Sequence, residues 1–489
     1  MLLKIRSFLL SPFFFAIPTV IAIVALLGGG AYFIPCLILE VLLIAFILFM
    51  SDDAAPAFLP YMCVVLVGTM MLGVADTGRL GSLGDVLPYL LWGIPLVISI
   101  PFHFVFYRKP FRPGRSFWAL CVASLAILLG GVGHISAAEY FNPTSLYYTL
   151  GLSVGLLVIY YVYATEYKAP RNYDIKRYFL IQMLCIGILC TVIMLDAFFS
   201  WIAVADFSLG ASEYLTVTAS YRNTVANLLV MSIPSAFYFA GKEKKRSALQ
   251  VLYFCLGCLF CFGAFITVAR TALLFGSVML VLCVAYYLGC SGKWIPKLIS
   301  VLILFVALGF AVFFLWDTLK MVLLEKLPGE SFMDVTEARW KMLLASFEDF
   351  KRFPIFGIGL GSLDHSDILA PIDGCINWYH LYFPQIWGSM GVVGCFAFGY
   401  QLVQRIRLAL CRPNAESVAL TLSYVGLLLY SQTDPGEFIP VPFAGIAVII
   451  FVLLERHEEG ETVKGEKYPL RPFGIEKRQV AKTGTKKTK

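Results

Sequence analysis

Charged residues are scarce in this sequence. Asp, Glu, Lys and Arg make up 14% of its 489 residues, whereas a soluble globular domain has about 25%. Hydrophobic residues make up 59%. This balance excludes a soluble enzyme and favours a protein built from membrane-embedded segments.

The short alternating segments that are typical of a transmembrane β-strand are also missing. Apolar runs of roughly 20 residues recur instead, which is the length a helix needs to cross a bilayer. We therefore predict an all-α polytopic membrane protein with about fourteen transmembrane helices, in a range of about 12 to 14. The runs cover residues 12–29, 31–50, 57–75, 87–106, 117–134, 144–164, 178–199, 222–240, 248–268, 270–289, 297–316, 379–403, 416–431 and 438–454.

Basic residues are distributed unevenly between the two predicted sides. If the N-terminus, with Lys4 and Arg6, is cytoplasmic, then so are the even-numbered connections, which read YRKPFRPGR, TEYKAPRNYDIKR, GKEKKR, GKWIPK and QRIRLALCR. Outside the long outer loop and the C-terminal tail, this topology puts 19 Lys and Arg residues inside and 3 outside. The positive-inside rule thus predicts that both termini are cytoplasmic. The net charge of +7 is then an orientation signal, and it does not indicate a nucleic-acid partner.

One connection, residues 317–378, is too long for a simple link and is predicted to form a structured outer loop. Trp340, Leu343, Phe347 and Phe350 recur in it at helical spacing, which predicts an amphipathic helix on the membrane surface. A turn with Gly357, Gly359 and Gly361 follows, and it lacks the features of a nucleotide-binding loop. We divide the chain into N-terminal transmembrane helices (1–200), a transmembrane core that includes this loop (201–454) and a basic cytoplasmic tail that is predicted to be disordered (455–489).

Three arginines depart from the basic bias: Arg79, Arg222 and Arg270. Arg222 opens the eighth run and Arg270 opens the tenth, so both guanidinium groups are expected at the same outer face. A guanidinium stays charged and its planar fork matches phosphate oxygens, so an anion-binding role is one interpretation. Snorkelling to the interface, or pairing with Asp196, Asp206 or Glu213, is the other.

His380 stands at the boundary between the outer loop and the twelfth run. An imidazole at this position fits a general base or a group that orients an acceptor hydroxyl, although an interfacial histidine among aromatics is also common. Arg339, beside the apolar stripe of the loop helix, could face a phosphate or simply be solvent-exposed. Glu40 in the second run is either a functional carboxylate or part of a structural pair. The sequence has no DxD-like metal signature, so we expect neither a metal nor another cofactor.

The order of these features resembles the O-antigen ligase and polymerase superfamily. The resemblance covers roughly residues 215–405 and rests on an Arg-Asn that opens a run, Val-Ala-Arg270-Thr-Ala-Leu-Leu, Ala-Arg339-Trp340-(x)13-Pro354-x-x-Gly357-x-Gly359-x-Gly361 and His380-Leu-Tyr-(x)8-Gly391-Val-Val-Gly394. Three positions depart from the usual pattern: Ala269 replaces a serine, Leu381 an asparagine and Ser389 an acidic residue.

This resemblance implies an inverting, metal-independent glycosyltransferase of the bacterial cytoplasmic (inner) membrane, with its active site facing the periplasm or exterior. The donor would be an undecaprenyl-pyrophosphate-linked glycan, and the acceptor a hydroxyl on another glycan or on a lipid-A core. Arg222 and Arg270 would bind the pyrophosphate, Arg339 would bind the same group or serve loop closure, and His380 would act on the acceptor hydroxyl. Membrane lipid would surround the site.

The residues leave two questions open. A ligase and a polymerase share the donor chemistry and differ only in acceptor, so the sequence does not separate them. A transporter or flippase of lipid-linked or other anionic solutes is the alternative class, with the arginines on a substrate path and Glu40 coupling protons. The concentration of ionisable residues at the outer face favours the one-sided active site of a transferase.

Overall fold

A computed structural model describes residues 2–28, 30–75, 91–136, 143–169, 171, 173–204, 222–267, 269–314, 332–360, 378–434 and 436–458. In these ranges the regular structure is helical and no strand is present, so the all-α prediction is confirmed. The helices are α1 (Leu2–Leu9), α2 (Pro12–Gly28), α3 (Gly30–Met50), α4 (Phe58–Ala75), α5 (Ile94–Phe106), α6 (Arg115–Ser136), α7 (Pro143–Leu150 and Leu156–Tyr167, joined by a π-helical turn at Gly151–Gly155), α8 (Ile175–Val204), α9 (Arg222–Lys242), α10 (Ser247–Ile266), α11 (Arg270–Gly289), α12 (Trp294–Phe314), α13 (Phe332–Arg352), α14 (Tyr382–Leu410), α15 (Ala415–Tyr430) and α16 (Gly445–Glu458).

Every predicted apolar run overlaps one of these helices. Within the described residues, 8 helices are long and apolar enough to cross a membrane: α3, α7, α8, α9, α10, α11, α14 and α16 with the turn before it. The apolar parts of α2, α4, α5, α6, α12 and α15 are shorter. The chain is therefore a membrane protein, and the count of about fourteen crossings stays a prediction.

Helix α9 is the centre of the bundle. In its most apolar stretch of 18 residues, 94% of the residues are buried. The helix packs against α8, α10, α11 and α15. It runs antiparallel to α15, because Tyr238 near its end donates a hydrogen bond to Glu416 at the start of α15 (2.7 Å), whereas Asn223 at its start lies 3.5 Å from the Tyr430 hydroxyl. The start of α9 therefore lies beside the end of α15.

Helix α14 is broken at Gly391, where the backbone adopts φ 61° and ψ −155°. The break separates a short first segment, which follows His380, from a longer one. The helix packs against α6 and α13. The loop helix and a helix from the N-terminal part of the chain thus meet on the same helix.

Some basic residues of the predicted inner connections form buried ion pairs. Lys109 and Arg171 come from two different connections, and both approach the carboxylate of Glu166, at 2.5 and 3.7 Å. His103 Nε2 lies 3.1 Å from the same carboxylate. The Arg171 guanidinium also binds Asp53. These ion pairs hold α5, α7, the segment after α3 and the segment before α8 together at one end of the bundle. The basic residues thus stabilise the fold, in addition to any role in orienting the protein in the membrane.

The last helix extends slightly beyond the predicted end of the core. Glu455, which we assigned to the disordered tail, lies in α16 and is 1% exposed. Its carboxylate accepts hydrogen bonds from Ser116 Oγ (2.6 Å) and the Tyr160 hydroxyl (2.5 Å) and pairs with Lys168 (2.9 Å). These buried partners explain why the helix continues to Glu458. Residues 459–489 lie outside the described part of the chain.

Candidate functional site

The end of α15 and the residues that follow it contact the starts of both α9 and α11. Asn223, the residue after Arg222, contacts Tyr430, and Thr271, the residue after Arg270, shares a 2.8 Å hydrogen bond with Thr433. Arg222 and Arg270 are the first residues of their helices, as the sequence predicted. Their side chains lie outside the described residues, but the backbone positions that carry them flank the same short segment.

His380 faces this segment from the start of α14. Its Nδ1 lies 3.4 Å from Asp434 Oδ1, a contact that is not aligned as a hydrogen bond. The side chains of His380 and Asp434 are 30% and 12% exposed, so the imidazole can be reached from outside the protein. The sequence alone assigns Asp434 no role. The structure brings its carboxylate next to the candidate base.

Arg339 in α13 lies within electrostatic range of the same carboxylate. Burial lowers the pKa of the Arg339 guanidinium, and the negative charge of Asp434 opposes that shift. The guanidinium remains charged in practice, because the ordinary pKa of arginine lies far above neutrality. The charge of Asp434 thus acts on a residue of the loop helix as well as on His380, which follows the long loop.

Hydrogen bonds to the end of α15 and the residue after it fix the turn that carries Asp434. The Glu437 amide donates to Ser431 Oγ (2.9 Å), and Ser431 Oγ donates to the Leu427 carbonyl (2.8 Å). Gly436 adopts φ 40°, and a Cβ at this position would lie 2.2 Å from Ser431 Oγ. The close approach of this backbone to Ser431 requires glycine.

Arg405 anchors the turn through a buried ion pair. Its guanidinium binds the Glu437 carboxylate and donates to the Tyr424 hydroxyl at 2.7 Å. Arg405 is 6% and Glu437 5% exposed. The sequence places Arg405 in the predicted inner connection QRIRLALCR. That interpretation of Arg405 is corrected: α14 continues to Leu410, so Arg405 lies inside the bundle, where a charge needs a partner.

Replacing Arg405 with methionine is expected to lower the free energy of unfolding by about 3–5 kcal/mol, because Glu437 would then be buried without its counter-ion. The double variant Arg405→Met/Glu437→Met removes both charges and is expected to recover most of this loss. Unfolding of the purified variants in one detergent, followed by tryptophan fluorescence, measures both effects. A double variant no more stable than the single one would contradict an energetic role for the pair.

The glycine turn after α13 docks onto the break in α14. Gly357 and Gly359 adopt φ 69° and 92°, in the left-handed region that favours glycine. The Gly359 amide donates to the Ser389 carbonyl (2.9 Å), and the Val392 amide donates to the Pro354 carbonyl (2.9 Å). A Cβ at Gly357 would lie 2.2 Å from the Ser389 carbonyl carbon. The two glycine motifs of the sequence therefore bind each other, backbone to backbone; Gly361 lies outside the described residues.

Helix α6 completes this contact. A Cβ at Gly130 would lie 3.0 Å from the Ser389 carbonyl oxygen and 3.1 Å from the Phe356 carbonyl oxygen. The N-terminal helices thus contribute a close packing partner to the site region, although the sequence resemblance begins only near residue 215.

The packing face of α13 differs from the predicted apolar stripe. Trp340 and Phe347 are 58% and 44% exposed, whereas Ala345, Ser346 and Asp349 are fully buried. Ser346 Oγ accepts a hydrogen bond from Trp387 Nε1 (3.0 Å). The helix thus turns a small and polar face toward α14 and leaves much of its apolar stripe uncovered.

Glu40, a further candidate from the sequence, lies apart from these contacts. Glu40 is 0% exposed, and its carboxylate oxygens have no hydrogen-bond partner among the described residues, so the structural pair that we considered is not found there. Among all the described residues, no group of three or more His, Cys, Asp or Glu side chains is placed to hold a metal ion.

Part of the chain matches a known family. Residues 254–399 match a family model described as O-antigen ligase. The matched range includes Arg270, Arg339, His380 and both glycine motifs, whereas Arg222 and Asp434 lie outside it. Among curated proteins no match is found. The match confirms the predicted resemblance of this part of the chain to the O-antigen ligase and polymerase superfamily.

Proposed function

We propose that this protein is an inverting glycosyltransferase that moves a glycan from an undecaprenyl-pyrophosphate carrier to a hydroxyl on another glycan. The observation that carries the proposal is the contact of His380 with Asp434, just after the end of α15. The charge of Asp434 also acts on Arg339, and the neighbouring Tyr430 and Thr433 contact the starts of α9 and α11. A candidate base thus lies near Arg339 and near the two helix starts that carry Arg222 and Arg270. The match to the O-antigen ligase family supports the same class of reaction.

The arginines bind the donor pyrophosphate. Arg222 and Arg270 stand at the helix starts, where backbone N–H groups and the helix dipole also favour an anion. Arg339 approaches from α13. As the glycosidic bond to the pyrophosphate breaks, negative charge grows on the leaving phosphate oxygen, and fixed guanidinium groups stabilise it.

His380 acts on the acceptor. Its Nδ1 faces Asp434, which leaves Nε2 to take the proton of the acceptor hydroxyl. The acceptor oxygen attacks the anomeric carbon from the face opposite to the pyrophosphate, so the configuration inverts. One C–O bond forms, the C–O bond to phosphate breaks, and undecaprenyl pyrophosphate leaves with the bonding electrons. The Asp434 carboxylate stabilises the imidazolium that results.

The uncovered apolar face of α13 supports a site next to lipid. Trp340, Leu344 and Phe347 on this helix are exposed, as are Ile355 after it and Phe383 at the start of α14. Lipid acyl chains can cover such a surface at the edge of a bilayer. The polyprenyl chain of the donor would enter along it, while its pyrophosphate reaches the arginines.

The proposed location is the bacterial inner membrane, with both termini in the cytoplasm and the site facing the periplasm or exterior. The excess of Lys and Arg in the inner connections supports this orientation. Donor and acceptor glycans would meet on the outer side. The reaction as proposed uses arginine in place of a divalent cation.

The test is reconstitution of the purified wild-type protein with a labelled undecaprenyl-pyrophosphate glycan and a glycan acceptor. We expect a new glycosidic bond of inverted configuration and release of undecaprenyl pyrophosphate. Transfer between two carrier-linked glycans identifies a polymerase, and transfer to a lipid-A core identifies a ligase. If the protein is a polymerase, cells that lack it accumulate single repeat units on the carrier. If it is a ligase, such cells accumulate long unattached chains. Absence of any bond formation with both acceptors contradicts the proposal.

The same reconstituted protein distinguishes a transferase from the alternative class, a transporter or flippase. Glu40, a buried carboxylic acid without a partner among the described residues, is the observation that favours a transporter or flippase. That function would carry the lipid-linked glycan across a vesicle membrane with no change in its bonds. A transferase produces the new bond whether or not the donor crosses the membrane.

A further inference from the structure

Tyr379, the residue before His380, is held from three sides. Its amide donates a hydrogen bond to Gln385 Oε1 (3.0 Å), and its hydroxyl donates to Asp349 Oδ2. Its ring lies against Gly388, where a Cβ would be 2.6 Å from the ring edge. Tyr379 and Asp349 are both 0% exposed.

Asp349 belongs to α13, the helix that also carries Arg339. A second hydrogen bond, from Trp387 Nε1 to Ser346 Oγ, and the stacked rings of Phe347 and Trp387 (5.2 Å between centroids) join the same two helices. Because an α-helix rises 1.5 Å per residue, Arg339 and Asp349 are separated by roughly 15 Å along a rigid rod. A movement of α13 at Asp349 therefore also moves Arg339.

His380 adopts a backbone conformation that needs such support. Its φ of 53° lies in the left-handed region, which a residue with a Cβ occupies at a cost of about 1–3 kcal/mol. A conformation of this kind persists when neighbouring contacts fix it. The contacts that fix the backbone immediately before His380 are those of Tyr379.

We propose that the Asp349–Tyr379 hydrogen bond positions His380, so that docking of α13 sets Arg339 and His380 in place together. This inference rests on the proposed transferase function and adds two positioning residues to it. Neither residue contacts the reacting atoms. Asp349 acts through Tyr379, and Tyr379 acts through the backbone that it shares with His380.

The test compares Tyr379→Phe with Tyr238→Phe. Tyr238 is a matched control, because it is also 0% exposed and its hydroxyl donates to a carboxylate, that of Glu416. It lies near the end of α9, whereas Arg222 is the first residue of that helix. Tyr379→Phe is expected to lower kcat for transfer by about tenfold, with KM for the donor changed by less than about twofold. Tyr238→Phe is expected to lose comparable thermal stability and to keep its kcat.

Two Asp349 variants sharpen the result. Asp349→Asn keeps an amide oxygen that can accept from Tyr379, so it is expected to retain most of kcat, whereas Asp349→Leu is expected to match Tyr379→Phe. Because both residues act through one hydrogen bond, Asp349→Leu/Tyr379→Phe is expected to be no slower than either single variant. Losses that multiply in the double variant, or a wild-type kcat in Tyr379→Phe, overturn the inference.

A second measurement is independent of catalysis. Amide hydrogen exchange of the peptide that contains residues 378–381 is expected to speed up by about tenfold or more in Tyr379→Phe and to stay unchanged in Tyr238→Phe. Unchanged exchange in Tyr379→Phe overturns the positioning role, even if the wild-type protein transfers glycan. Failure of the transferase proposal is recognised separately, because it is the wild-type protein that then forms no glycosidic bond.

Discussion

Replacing His380 with alanine is expected to lower kcat for glycan transfer by about 10²- to 10⁴-fold, which is the contribution of a well-placed general base. The imidazole is 30% exposed, and its Nδ1 lies 3.4 Å from Asp434 Oδ1. Its removal leaves the acceptor hydroxyl without a proton acceptor while the arginines still bind the donor. The measurement is transfer by the purified variant at saturating donor, with its thermal stability determined in parallel.

A histidine at the other end of the bundle provides the control. His457, near the end of α16, lies 2.6 Å from the Arg412 carbonyl through Nε2 and 3.1 Å from Lys176 Nζ through Nδ1. His457→Ala is expected to keep kcat within about twofold, as a change away from the reacting groups should. Equal activity of the His380 and His457 variants would remove His380 from the mechanism.

Asp434→Asn tests the partner of His380. The substitution keeps the size of the side chain and removes the charge that stabilises the imidazolium, so we expect kcat to fall by about 10- to 100-fold. Residues that act as one unit are not additive. The double variant His380→Ala/Asp434→Asn is therefore expected to be no slower than His380→Ala, and a further multiplicative loss would show that Asp434 has a separate role.

Gly391→Ala is expected to lower the free energy of unfolding by about 2–5 kcal/mol, which is a large part of the stability of a typical protein. Two effects combine. The residue has φ 61°, where a Cβ adds strain. That Cβ would also lie 2.5 Å from the Ile355 carbonyl oxygen, which is backbone and cannot move without displacing the glycine turn.

The matched control lies in the same helix. A Cβ at Gly399 meets nothing within 4 Å, so Gly399→Ala is expected to be neutral or to stabilise α14 by up to about 1 kcal/mol. Thermal unfolding and transfer activity of both variants are measured in the same detergent. If Gly391→Ala unfolds at the wild-type temperature, the backbone contact between the turn and the helix break is not a significant source of stability.

The helices of this protein were largely predictable from local sequence. An apolar run of roughly 20 residues forms a helix in a membrane because every backbone polar group must be satisfied within the segment. The predicted starts of α9 at Arg222 and α11 at Arg270 therefore agree with the structure. Glycine spacing also predicted a tight turn at Gly357 and Gly359, where φ is positive.

The orientation of the loop helix was not predictable in the same way. A hydrophobic stripe identifies the packing face when the partner is an apolar core. Helix α14 and the residues just before it instead offer the indole N–H of Trp387 and the hydroxyl of Tyr379, so α13 buries Ser346 and Asp349 against them. Its exposed Trp340 and Phe347 fit the second apolar phase that a membrane protein has, the lipid.

By itself, the sequence determined the helical class, the segments that become helices, the uneven distribution of basic residues and the resemblance of its central part to O-antigen ligases. The tertiary structure was needed to show that Asp434 contacts His380 and lies within electrostatic range of Arg339, and that Arg405 binds Glu437 inside the bundle. The reason is physical. Helix formation depends on neighbours along the chain, whereas the partner of a charge depends on which helix ends the packing of α9, α11, α14 and α15 brings together.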